Sequence, residues 1–415
     1  MTQPKPSHPA WNYAWWLVLC VVGLDYFSTL AYLPSIAVEA AANAGGPALA
    51  PLVIGGVVLV TLLAAVPVYL YVVGRSPHGN GGTGLLESLV PGWHGKLLIL
   101  VLLGFIGTDF VITRTLSVSD ASAHALHNPA LAWWSQNSDG LRGAAPQWLQ
   151  ADFLWNRQLV LTVLLSLATF AFWTLLRRGF TPWLLKLAVT AVVVYLFLTA
   201  LVVGSGLLYL AKNPDMLRHW WTDTVPQQLA ARSADPADLL LPLALMILVT
   251  FPQMALGLSG FELSMASAPL VRGDPGDDPA RPRGRIRNAR RMLLAAALVM
   301  SGFILTSVLV VSFLVPEPAL RGEGPAAHRA LAYLAHGGEL ADGLPGDAVN
   351  PVFGAWFGTL YDLSTVLILL LAGASATVSL RDMVPQYLAR FGMQLQWAYQ
   401  VGVILHLFNL IILLV

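Results

Sequence analysis

One cysteine, Cys20, is all the thiol chemistry available to this chain of 415 residues. A disulfide framework and a thiolate metal cluster are therefore excluded, and Cys20, set inside an apolar run, reads as plain packing. Charge is equally scarce. Asp, Glu, Lys and Arg make up 11% of the residues, against about 25% in an ordinary soluble domain, too few to clothe a water-facing surface. The formal net charge of +1 leaves no global field that would draw a nucleic acid or an acidic partner. A His-Glu-x-x-His pattern and a nucleophile elbow are also missing, so neither enzymatic activity nor a cofactor is expected.

What the chain has instead is apolar length, with 56% of its residues hydrophobic. A membrane span needs roughly 20 apolar residues, and runs of that kind lie at 14–41, 48–73, 96–125, 158–176, 182–211, 239–271, 292–315, 352–378 and 396–415. The expectation is an all-α membrane protein of about nine spans. The first run is too long for a signal-peptide core and lacks a clear cleavage site, so it reads as a retained helix.

Orientation follows from Lys and Arg near the span ends. Arg272, Arg281, Arg283, Arg285, Arg287, Arg290 and Arg291 crowd the loop after the sixth run, Arg177 and Arg178 follow the fourth, and Arg75 and Lys96 flank the link after the second. These loops are expected in the cytoplasm of a bacterial-type inner (plasma) membrane, together with an N-terminus over 1–13. The alternate loops near 126–157, 212–238 and 317–351 carry mixed charge and face outward. Trp residues near 15–16, 133–134 and 220–221 suit interfacial belts.

Two runs contain residues that a straight span would avoid. The first reads Gly23-Leu24-Asp25-Tyr26-Phe27-Ser28-Thr29-Leu30-Ala31-Tyr32-Leu33-Pro34, and the sixth Pro252-Gln253-Met254-Ala255-Leu256-Gly257-Leu258-Ser259-Gly260-Phe261-Glu262. Irregular backbone at membrane depth survives only beside a cavity or inside protein, and interrupted segments at matching places point to a transport site. Asp25, Asp109, Glu262 and Asp362 fall inside candidate spans, where a carboxylate is functional by default. Asp109, Thr113 and Ser117, spaced by four, share one helical face, and back-bonding to its own helix is an equal reading of each hydroxyl. Arg114 points away from that face and pairs with a carboxylate or stabilises packing, with Asp362 one candidate partner for coupling or gating. The loop Ser76-Pro77-His78-Gly79-Asn80-Gly81-Gly82-Thr83-Gly84 resembles a phosphate cradle, but no Walker lysine follows; a connection that bends or gates is the better reading.

These residues resemble a family, the amino acid–polyamine–organocation (APC) transporters. Ser259-Gly260-Phe261-Glu262 is similar to their broken sixth helix, and Arg381 with Leu388-Ala389-Arg390-Phe391-Gly392 to the end of their eighth. The resemblance implies a bundle of two inverted five-helix repeats with discontinuous first and sixth helices, here 14–211 and an incomplete 239–415, the tenth helix apparently missing. Within that family the motifs are most similar to the KimA-like branch of KUP-type potassium uptake proteins, at Asp25, Ser28 and Tyr32, at Asp109, Thr113 and Ser117, and at Ser259 and Glu262. By resemblance, Asp25, Tyr32, Thr113, Ser117 and Ser259 would coordinate K⁺, with Asp109 and Glu262 as cation or proton-coupling carboxylates and Gly257 and Gly260 lending backbone. The implied activity is proton-coupled uptake of a monovalent cation by alternating access, its partners being a small cation or small-molecule substrate, protons and the lipid bilayer. An amino acid or amine permease, and a membrane sensor that transports nothing, remain open alternatives.

Overall fold

The structure, a computed structural model, describes residues 13–79, 82, 85–86, 89–90, 92–131, 137, 142–143, 156–176, 182–232, 239–254, 259–322, 324–341, 344, 348–390, 403–404, 406–407 and 411; for 176, 259 and 378–390 it describes the backbone alone. These residues are helical throughout, with one isolated bridge between Tyr13 and Val271 and no sheet among them. The main elements are α1 (Trp15–Ser28), α2 (Leu33–Asn43), α3 (Ala50–Val60), α4 (Val66–Arg75), α5 (Trp93–Leu126), α6 (Arg157–Leu176), α7 (Pro182–Lys212), α8 (Leu240–Met254), α9 (Ser259–Ala266), α10 (Arg283–Leu314), α11 (Ala330–Ala335) and α12 (Ala355–Arg390).

Six stretches are long and apolar enough to cross a membrane: Pro47–Arg75, Trp93–Leu126, Arg157–Leu175, Pro182–Lys212, Arg283–Leu314 and Ala355–Thr377. A seventh is formed if α1 and α2, bent by 45° at the turn between them, count as one span. The expected nine spans, and with them the bundle of two five-helix repeats, are therefore overturned: the described residues carry six, or at most seven. Two runs account for the difference. In the sixth, 255–258 lie outside the described residues, and the longer described helix, α8, has 15 residues, about 22 Å at the rise of an α-helix against a hydrocarbon core of about 30 Å. The ninth, 396–415, lies outside the described residues apart from isolated positions.

The helices bury one face and leave the other apolar. Leu63, Phe105, Phe197, Leu248 and Leu363 are all more than 60% exposed, a density of bare hydrocarbon that water would penalise heavily and lipid accepts. With several long apolar helices of this kind, the chain is a multi-pass, membrane-embedded helical protein. Its interior is centred on α12, which packs against α1, α5, α6 and α7, while α10 packs against α1, α2, α3, α4 and α7.

The helices are pinned at two ends. At the arginine-rich end, Tyr13 N–H donates to Leu270 O (2.9 Å), Arg272 N–H donates to Tyr13 O (2.8 Å), and Arg290 Nε donates to Leu70 O (3.0 Å). At the opposite end, Trp220 Nε1 donates to Ala48 O (2.7 Å), Arg232 Nε to Ala44 O (3.2 Å), and Asn350 Nδ2 to Ser205 Oγ (3.0 Å). The start of α10 is capped from a distance. Asp277 accepts from the N–H groups of Gly284 (3.0 Å) and Arg285 (3.1 Å), two of the four donors that a helix start leaves unpaired.

Small residues set the close crossings. On α7, Gly206 faces Val310 of α10 so closely that an added Cβ would fall 2.4 Å from a valine methyl, whereas nothing lies within 4 Å of the corresponding point on Gly204. Gly206→Ala is expected to destabilise the detergent-solubilised protein by about 1–3 kcal/mol, read as a lowered Tm, while Gly204→Ala leaves Tm unchanged. The backbone donors at α10 hold the Asp277 carboxyl below its usual range. Its folded value lies below the unfolded one of about 3.9, so the cap is complete above that pH and is lost as pH falls further. Hydrogen exchange at Gly284 and Arg285 should accelerate on acidification beyond the intrinsic rate, and Asp277→Asn should abolish that pH dependence.

Candidate functional site

The bend between α1 and α2 has a covalent cause. Pro34 carries no N–H and its ring collides with the carbonyl four residues back, so α1 cannot continue regularly through Leu30. The chain passes instead through a tight turn at Thr29–Ala31 and restarts at Leu33, with Pro34 in the first turn of α2. Ser28 Oγ donates to Asp25 O (3.1 Å) and Thr29 Oγ1 to Tyr26 O (2.7 Å), supplying local partners to carbonyls at the break. Asp25, Ser28, Thr29 and Tyr32 are all buried.

Around this break the structure gathers three of the four predicted carboxylates. Tyr32 lies within electrostatic reach of Asp25, Asp109 and Asp120, and Tyr69 within reach of Asp109 and Glu262. Tyr26 joins α1 to α9 by a hydrogen bond to Ser264 Oγ (2.8 Å) and by the close approach of its ring to Gly260. Gly82, from the glycine-rich loop, approaches the Glu262 carboxylate and donates a backbone hydrogen bond to it. The hydroxyls of Tyr32 and Thr113 are buried and have no hydrogen-bond partner among the described residues. Ser117 Oγ donates to Thr113 O (2.7 Å), the back-bonded arrangement. Gly257 and the side chain of Ser259 lie outside the described residues.

A cavity of about 50 Å³ adjoins the bend, lined by Tyr26, Leu33, Thr61, Met254, Phe261 and Met300 among others. It faces α3, α8 and α10 and touches none of Asp25, Tyr32, Thr113 or Ser117.

The fourth carboxylate stands apart. Asp362, near the N-terminal end of α12, accepts four hydrogen bonds: His124 Nδ1 (2.7 Å) to Oδ1, and His336 Nε2 (2.7 Å), Asn128 Nδ2 (2.9 Å) and Arg329 Nη2 (3.4 Å) to Oδ2. A carboxylate offers about four lone-pair sites, so this one is saturated. Asn128 Oδ1 in turn accepts from Ala130 N–H (2.9 Å), which fixes the orientation of its amide. The pairing of Arg114 with Asp362 is thus not formed. Arg329 takes that place, and Arg114 instead meets His406 through Nη2 and packs on Gly373 of α12.

The network ties α5, α12 and the segment after α10 into one knot at the end opposite the arginines. Burial pushes the Arg329 guanidinium below its ordinary value, and the Asp362 carboxylate works against that shift. His124, with Nδ1–H committed to Asp362, keeps Nε2 buried without a partner among the described residues; that lone pair is where a further proton would go. One turn toward the bend, Asp120 on the same face of α5 is buried, with His328 Nδ1 3.7 Å from its carboxylate.

Part of this knot was detectable in sequence. Asp120, His124 and Asn128 are spaced by four and extend the polar stripe of Thr113 and Ser117 along α5. Arg329 and His336 carry no such signal, because only the folded loop brings them to Asp362.

Removing the charge at Asp362 leaves Arg329 buried without its counter-ion, which costs on the order of 3 kcal/mol. Asp362→Asn is accordingly expected to lower Tm markedly, and Arg329→Met in the same chain to recover much of the loss. A second substitution that deepens the loss would show that Arg329 is held by something other than Asp362.

Compared with known proteins, the chain matches no family model and has no significant match among curated proteins.

Proposed function

We propose that the chain is a secondary active transporter of the APC type that takes up a small monovalent cation, K⁺ by its resemblance, coupled to protons and working by alternating access. The observation that carries this reading is the break near the midpoint of the bent α1–α2 span, with Asp25 and Tyr32 buried beside it. A broken span offers half-helix ends and freed carbonyls to an ion, and hydroxyls without partners replace hydration oxygens at little electrostatic cost.

In this reading Asp25, Ser28, Tyr32, Thr113 and Ser117 form the oxygen site, with Ser259 and the backbone at Gly257 and Gly260 contributing from the sixth run. Asp109 and Glu262 exchange protons against the ion, since two acids and a cation in one low-dielectric interior compete electrostatically. The saturated Asp362 network closes the outer end, and the glycine-rich loop, donating from Gly82 to Glu262, closes the inner one. The arginine-rich end faces the cytoplasm by the positive-inside rule, which places the N-terminus there too.

A cation is favoured over an amino acid by charge. Asp25, buried at the break, would repel a substrate carboxylate and attract a cation.

The test is K⁺ uptake into proteoliposomes under an imposed proton gradient. Uptake by the parent chain, reduced at least about tenfold in Asp25→Asn, is expected. Tyr32→Phe and Thr113→Ala, each removing one oxygen worth about 1 kcal/mol, should raise the half-saturating K⁺ concentration about fivefold with less effect on maximal rate. Absence of K⁺ flux together with accumulation of a labelled amino acid would replace the cation by that cargo, and absence of all flux would leave the sensor reading.

A further inference from the structure

At the arginine-rich end, α4 and the start of α10 enclose an open cavity of about 530 Å³ onto which Arg281, Arg283, Arg287, Arg290 and Arg291 all converge. Membrane orientation requires basic residues somewhere in a loop but does not require five of them around one hollow. Two are committed elsewhere in part: Arg287 Nη2 bonds both oxygens of Asp274 (2.9 and 3.0 Å), and Arg290 gives Nε to Leu70 O. Arg281, Arg283 and Arg291 have no carboxylate partner among the described residues. The Asp277 cap holds the backbone at Gly284 and Arg285, which fixes the start of the helix that displays them.

The floor of the cavity is apolar, formed by Leu70, Ile286 and Leu294. Leu294 and, one turn deeper on α10, Leu298 are exposed large hydrophobics, so the floor runs without interruption into the surface that meets lipid. Planar guanidinium forks match phosphate oxygens in pairs, and a hollow with a cationic rim and an apolar exit into the bilayer fits a molecule with an anionic head and hydrocarbon tails. We propose that this cavity binds the phosphate headgroup of an anionic phospholipid, with its acyl chains lying along Leu294 and Leu298.

The full-length chain, purified in a neutral detergent, would be titrated with phosphatidylglycerol, phosphatidylcholine and inorganic phosphate, with bound lipid counted by native mass spectrometry and stability followed by Tm. Phosphatidylglycerol is expected to bind and raise Tm, and phosphatidylcholine to do neither. Combining Arg281→Gln, Arg283→Gln and Arg291→Gln should weaken phosphatidylglycerol binding on the order of a hundredfold. The corresponding triple Lys variant retains the charges that orient the chain, so it should insert normally and still bind more weakly than the parent for want of the paired donors. Equal binding of both lipids, undiminished binding in both triple variants, or the full rise in Tm from inorganic phosphate alone would overturn the proposal.

Discussion

A bilayer gives a backbone carbonyl no water to bond with, and everything distinctive in this protein is a response to that fact. Where the sequence is Leu, Val and Ala, the helix answers the demand within itself, and α5, α7 and α10 run for 34, 31 and 32 residues without interruption. Where Pro34 makes an internal answer impossible, the chain must bury the exposed carbonyls among its own side chains. Ser28 and Thr29 bond back to the carbonyls of Asp25 and Tyr26 in the last turn before the break, and the residues of the break itself are buried.

The same constraint sorts the buried charges. Asp362 is tolerated because four donors converge on it, one of them the Arg329 guanidinium, and together they replace the hydration it gave up. The acids near the α1 break have a different neighbourhood: Asp25, Asp109 and Glu262 act on the tyrosines Tyr26, Tyr32 and Tyr69, and Gly82 donates its backbone N–H to Glu262. The interior thus holds its carboxylates in two settings, a saturated knot at one end and a group beside the bend.

Helix class, the long spans and the α1 break were legible because each is written locally, in runs of apolar residues or in one proline. The span count was not. In the run at 239–271, expected as an interrupted span, the described helices are α8 and α9, with 255–258 outside the described residues, and α8 alone is too short to cross; hydropathy counts apolar residues and not the length of the helix that holds them. Site residues divided in the same way. Asp25, Tyr32 and Thr113 were conspicuous as polar groups in apolar runs, whereas the partner of Asp362 stayed open, with Arg114 one candidate, since the choice among arginines depends on how the loop after α10 folds over α5. Arg329 and His336 come from sequence that reads as ordinary outer loop.

The turn joining α2 to α3 is held by two side chains from the segment that follows α7, Trp220 on Ala48 O and Arg232 on Ala44 O. With Pro34 acting as a hinge, α2 becomes a lever whose far tip is tethered to that segment. Any swing of α2 about the hinge must drag the 214–232 stretch with it or break both tethers, so movement begun beside Asp25 reappears as displacement of a segment remote from the bend, where an attached probe would register it.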